Sequence, residues 1–214
     1  MKPTLNVRYF MAEFYGSFSL LFVPLAVFVL GGSPIYIGLS IGLTYVFTAS
    51  MLMHISHAHF NPIVSFAAFL DGRMSVKTLG LYLFAQVSGM LFAWISLPLV
   101  GEVSWTPGLS GPWLRGFGLE TFLIFMLVYV YVAVSEQTLM RPFLPLSVGA
   151  AYAVLSSIGL LAVGNSLLLG QAGPALVLAP TVFLRVLLSS LSGTALAMGF
   201  YRFLKFQPTV YQSK

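Results

Sequence analysis

Six apolar runs of about 20 residues, at about 9–31, 34–54, 78–100, 117–136, 144–163 and 181–204, limit what this chain can become more than any other feature. At 1.5 Å rise per residue, a helix of that length crosses a hydrocarbon core of about 30 Å. Inside hydrocarbon every backbone N–H and C=O must find a partner within the chain, which leaves helices or a closed β-barrel. These runs are continuously apolar and lack the period-two alternation of barrel strands, so helices are predicted. Composition agrees, with 7% charged residues among 214, against roughly 25% for an average soluble domain. The chain is therefore predicted to be an all-α, multi-pass integral membrane protein surrounded by lipid.

Cysteine is absent, which removes disulfides, thiolate metal sites and cysteine nucleophiles. The start, MKPTLNVRYF, is basic, but no small-residue cleavage site with a polar segment follows the first apolar run. That run reads as a retained helix. A net charge of +5 would suggest nucleic acid for a soluble domain; here the basic residues lie at helix ends, and no nucleic-acid partner is expected. With the amino terminus inside, Lys2, Arg8, Arg73, Lys77, Arg141, Arg202, Lys205 and Lys214 fall on the cytoplasmic side, leaving Arg115 and Arg185 elsewhere. Both termini are accordingly predicted to be cytoplasmic. No nucleophile with a base, phosphate loop or dinucleotide fingerprint occurs, so neither an enzyme nor a cofactor is expected.

The chain also repeats weakly. A shift of 107 residues lays Glu13 in AEFYGSFSLLFV on Glu120 in GLETFLIFMLVYV, and Gly42 in SIGLTYV on Gly149 in SVGAAYA. Two short apolar pieces, at about 61–70 and 165–178, have too few residues to span and follow the second and fifth spans. Residues 1–214 are thus predicted to form one domain of two repeats, about 8–100 and 115–205, each with three spans and one short segment. Three is odd, so the halves enter the membrane in opposite senses and place a pathway at their interface, where two half-helices meet near the midplane.

The stretch HISHAHFNPIVSFAAFLDGR, residues 54–73, carries the chemistry. Asn61 can cap a helix, Pro62 suits its first turn, the run from Ile63 to Leu70 continues it, and Asp71-Gly72 ends it. A half-helix starting at membrane depth aims unpaired N–H groups and a positive dipole end at the centre, which repels cations. The Asn61 amide can donate to a permeating molecule. Carbonyls of the irregular run before it would accept, since non-helical backbone at this depth must line a cavity or be buried in protein.

This stretch resembles the aquaporin-family segment HISGAHFNPAVT, with Ile63 in place of the alanine of the Asn-Pro-Ala motif. AEFYGSF resembles the family's first-helix AEFxGTF pattern, IGLTY precedes the loop at the family spacing, and LYLFAQVSGMLFA resembles YxxAQxxGA of the third helix. The resemblance covers residues 10–95, and GPALV at 173–177 and YRFL at 201–204 resemble later family stretches. It implies an aquaporin-like fold of six transmembrane helices and two re-entrant half-helices, and a homotetramer. It also implies that Glu13, Glu120, His54 and Gln86 brace the loops, and that His59 helps brace its own.

The second half departs from the pattern. In place of a second Asn-Pro-Ala followed by arginine stands AVGNSLLLGQAGPALVLAP, and the arginine is missing in every register. The repeat puts Leu168 at the asparagine position; Asn165 as a substitute cap and Gly173-Pro174-Ala175 as a motif are competing readings. At the outer constriction the family's aromatic falls on Ile41, its histidine on Ser156 and its arginine on Gly170 or Gln171. A filter without bulky aromatic, histidine and fixed cation is expected to be wider or more apolar than a water-selective one.

His54, His57 and His59 invite a metal reading, but no carboxylate or cysteine lies near to complete a site, and none is expected. His57 stands where the family usually has glycine, where it could narrow the inner mouth. Two functions follow. One is a passive channel for water or a small uncharged solute with altered selectivity, lined by Asn61, Pro62, Ile63, His57, His59, Ile41, Ser156 and the rebuilt second loop. The other is a weakly conducting or non-conducting aquaporin-like subunit that serves structure or assembly in a larger membrane complex.

Overall fold

Seven α-helices and no strand occur among residues 5–102, 113–163 and 180–205, which the computed structural model describes. They are α1 (Leu5–Val29), α2 (Pro34–Ser56), α3 (Pro62–Leu70), α4 (Val76–Ser96), α5 (Trp113–Glu136), α6 (Leu144–Val163) and α7 (Pro180–Lys205). All but α3 are long and apolar enough to cross a membrane. The predicted spans agree to within a few residues. The first helix already begins at Leu5 and stops at Val29, where Gly31 turns the chain with a φ of 82°. The second short segment, 165–178, lies outside the described residues.

Local chemistry sets the helix starts. Ser33 caps α2 ahead of Pro34, and Ser75 caps α4 by accepting the Thr78 N–H at 3.2 Å. The outward faces are apolar: Leu43, Phe47, Phe84 and Ile95 are each more than 60% exposed in the isolated chain, as suits a surface that meets lipid tails.

Packing falls into matching pairs. Helix α1 packs along α4 as α5 packs along α7, α1 meets α2 as α5 meets α6, and α2 and α6 form the most extensive contact. That seam is close because Gly42 and Gly149 face each other: a Cβ on Gly42 would stand 2.4 Å from the Gly149 carbonyl oxygen. Small residues of this kind let membrane helices approach without a hydrophobic driving force. Gly42→Val is expected to push the helices apart and lower stability by about 2–3 kcal/mol, read as a lower unfolding midpoint in detergent. The nine-residue α3 inserts between these pairs, against α4, α5 and α7.

Candidate functional site

The segment that joins α2 to α3 is irregular because His57 ends α2 in the left-handed region, at φ 65°, and Ala58 and Phe60 follow at 54° and 50°. Each such non-glycine residue costs about 1–2 kcal/mol, so the surroundings must over-determine the conformation. They do so by occupying its polar groups. Tyr82 donates to the Ser56 carbonyl at 2.9 Å, Tyr131 to His57 at 2.9 Å, Tyr45 to Ala58 at 2.8 Å and Ser17 to Phe60 at 3.0 Å.

The N–H groups have one shared acceptor. Glu13, fully buried on α1, takes the His59 N–H at 3.2 Å and the Phe60 N–H at 2.7 Å, one on each carboxyl oxygen. Gln86 on α4 donates to the same carboxyl at 2.7 Å and to Ser65 Oγ at 2.8 Å. Ser65 in turn lies 3.1 Å from His59 Nδ1, and the His59 ring meets those of Tyr82 and Tyr131 edge-on. Side chains of α1, α2, α3, α4 and α5 therefore fix one loop. His54 is exposed in the last turn of α2.

Where α3 begins, Asn61 is 4% exposed and caps the helix by accepting the Ile63 N–H at 2.9 Å, with Pro62 in the first turn. Its Nδ2 points across the bundle and donates to the Tyr152 hydroxyl on α6 at 3.1 Å. The far end of α3 is held too: Arg202 on α7 donates to the Leu70 carbonyl at 2.6 Å. Below this half-helix a cavity of about 510 Å³ opens at the end of the bundle where α1 begins, lined by His57, His59, Arg73, Tyr131 and Arg141 among others. His57 is held below the ordinary histidine range, first by partial desolvation and then by the charges of Arg141 and Arg73. Its imidazole is thus uncharged near neutral pH.

On the other side of Asn61, Ile41 and Ser156 are buried, at 0% and 1% exposure, on the facing helices α2 and α6. The Ser156 hydroxyl is buried without a hydrogen-bond partner among the described residues. Leu168, Gly170 and Gln171, with Asn165 and residues 173–175, lie outside the described residues. Glu120, the repeat mate of Glu13, has Arg185 and Ser189 of α7 as its partners among the described residues. Arg185 grips it bidentately, Nη2 to Oε1 at 2.8 Å and Nε to Oε2 at 3.2 Å, and Ser189 adds a hydroxyl at 3.2 Å. Gly116 makes room: a Cβ there would come within 2.7 Å of the guanidinium.

The motifs in the sequence give these tyrosines no role, and Arg185 enters there only as a cation outside the cytoplasmic set. One signal was available. Tyr45 and Tyr152 share a column of the 107-residue repeat, and a polar-tipped aromatic repeated in both halves marks equivalent positions in the two halves. Among the described residues no group of three or more histidine, aspartate or glutamate side chains is arranged to hold a metal.

Both related sequences and a similarly folded structure are known. The family model described as major intrinsic protein matches residues 1–201. The chain is 30% identical to glycerol uptake facilitator protein-like 6 of Lactiplantibacillus plantarum, over 83% of its own length and 84% of the relative's. It is 27% identical to aquaporin Z of Rhodopseudomonas palustris, with 96% of each covered. The X-ray structure of the aquaglyceroporin from Plasmodium falciparum superposes with a TM-score of 0.70 at 22% identity, covering 94% of this chain and 96% of that one.

Proposed function

Because this chain belongs to the major intrinsic protein family of membrane channels, we propose that it passes water or a small uncharged solute, with a selectivity altered from that of water-selective members. The observation that carries this reading is the capped half-helix. Its positive end, at Asn61, is held at the centre of the bundle by a loop fixed on Glu13 and Gln86, and a cavity opens against His59 of that loop and Ala68 of the half-helix. A fixed positive dipole end disfavours cations while an amide and hydroxyls serve neutral hydrogen-bonding molecules. Ile41 and the unpartnered hydroxyl of Ser156 give the outer pathway a less polar, roomier character than a filter of aromatic, histidine and arginine. The excess of Lys and Arg at the open end of the cavity supports placing that end, and both termini, in the cytoplasm.

A second reading, a structural or assembly subunit with little conduction, draws on the loop carbonyls, which are engaged by tyrosine and serine hydroxyls of the protein itself. Stopped-flow shrinkage and solute uptake in proteoliposomes separate the two. Permeability to water, glycerol or urea above that of empty vesicles is expected, and its absence for all of them rules out the channel. Asn61→Asp is expected to reduce the flux several-fold by placing a carboxylate at the midplane, whereas a scaffold would change only in stability. The mass of the purified complex, with or without a stoichiometric partner, distinguishes the homotetramer implied by the family from membership of a larger assembly.

A further inference from the structure

We propose that Tyr152 is a latch across the pathway: its hydroxyl occupies the acceptor position at Asn61 that a permeating oxygen would take, and flux requires the phenol to withdraw. The inference rests on the channel reading and adds a control element to that site. Tyr152 has 0% exposure and projects from α6, in one repeat, to the half-helix cap of the other, with Asn61 Nδ2 to Tyr152 Oη at 3.1 Å. A phenol oxygen accepting this hydrogen bond does what a water or alcohol oxygen would do in the same place. The phenol's own proton has no acceptor among the described residues, so the contact to Asn61 is the hydroxyl's one anchor.

The ring is placed to close the route as well. Its centroid is 5.1 Å from that of Tyr45, the residue at the matching repeat position on α2. The two tyrosines do different things. Tyr45 is itself anchored, donating to the Ala58 carbonyl of its own half's loop at 2.8 Å and lying edge-on to Phe60. It forms a fixed wall, while Tyr152 crosses from one half to the other and is held, among the described residues, by a single neutral hydrogen bond plus ring packing. Such a bond is modest in net strength, so a hydrated state with Tyr152 turned aside is within thermal reach. One turn further along the same face of α6, the Ser156 hydroxyl is buried without a hydrogen-bond partner among the described residues. It gives a permeant or water that displaces the phenol a second polar contact.

The test compares wild type, Tyr152→Phe and Tyr152→Val in proteoliposomes, with water and glycerol fluxes measured over a temperature range. Tyr152→Phe removes the hydrogen bond and keeps the ring, so water flux is expected to rise roughly two- to tenfold. Tyr152→Val removes both, and is expected to raise it further, to admit glycerol faster and to lower the activation energy of water flux. A residue that merely packs would leave flux unchanged or reduce it. Wild-type flux with no gain in either variant overturns the latch and leaves the channel standing. Baseline flux in all three overturns both, and baseline wild type with a conducting Tyr152→Val supports both. If the valine variant does not purify as a single folded species, the phenylalanine variant decides, because it removes one oxygen atom and leaves the packing in place.

Discussion

Arg185→Met alone is expected to destabilise the protein by about 3–5 kcal/mol. The guanidinium and the Glu120 carboxyl are both buried, at 3% and 0% exposure, and meet through two parallel hydrogen bonds of 2.8 and 3.2 Å. Taking one partner away leaves the other in a low-dielectric interior, where the desolvation penalty is no longer offset. Glu120→Leu alone is expected to do comparable harm, leaving the Ser189 hydroxyl with the Val186 carbonyl at 3.0 Å as its acceptor. The double variant, with two apolar side chains, is expected to recover most of the loss. A double-mutant cycle followed by equilibrium unfolding in mixed micelles measures this. A coupling energy near zero would show that the pair holds the α5–α7 seam by packing alone.

Glu13→Ala is expected to lose about 3–5 kcal/mol for a different reason. No ion pair holds this carboxyl among the described residues; three donors converge on it, two of them backbone N–H groups of a loop that lies at positive φ. Without it, the His59 and Phe60 N–H groups are buried and unpaired, at roughly 1–3 kcal/mol each, and the Gln86 amide keeps only Ser65 Oγ as acceptor, a loss partly relieved by water entering the gap. The loop would then relax, Asn61 would lose its position, and flux would fall together with stability. Glu13→Gln is expected to fall between, since it keeps one acceptor oxygen but turns an N–H donor toward a second N–H. Thermal unfolding and proteoliposome flux on the three proteins check the order wild type, Gln, Ala. An alanine variant as stable as wild type would mean that the tyrosine and serine hydroxyls fix the loop without Glu13.

Much of the fold was legible. Run length alone fixes six spans because a helix rises 1.5 Å per residue and the hydrocarbon core has a set thickness. The half-helix α3 was legible from Asn61, Pro62 and Gly72, because a capping amide, a proline without an N–H and a turn glycine have local meanings that need no distant partner. The 107-residue repeat pointed to Glu13 and Glu120 as a related pair. It could not say that one would face backbone amides and the other an arginine.

The hydroxyls that engage the loop were less legible, and the reason is physical. In a soluble helix the apolar face tells which side is inside, but here every face is apolar, so periodicity gives no sign of which tyrosines turn inward. Tyr45, Tyr82, Tyr131 and Tyr152 read alike in sequence with Tyr15 and Tyr36, which are exposed. The partners are also remote: Tyr131 reaches His57 across 74 residues, Asn61 reaches Tyr152 across 91, and Arg185 reaches Glu120 across 65. A hydrogen bond between such positions has no local spacing rule.

The sequence by itself thus determined the membrane, the number of crossings, the half-helix and the family pattern of the first half, because these depend on length, local caps and short-range composition. Tertiary structure alone decided that the loop carbonyls are met by the protein's own hydroxyls, that Arg185 is buried against Glu120, and that Tyr152 stands at Asn61. Those outcomes depend on which helix faces close on one another, and the Gly42–Gly149 approach of α2 and α6 is what brings Tyr45 and Tyr152 together at the centre.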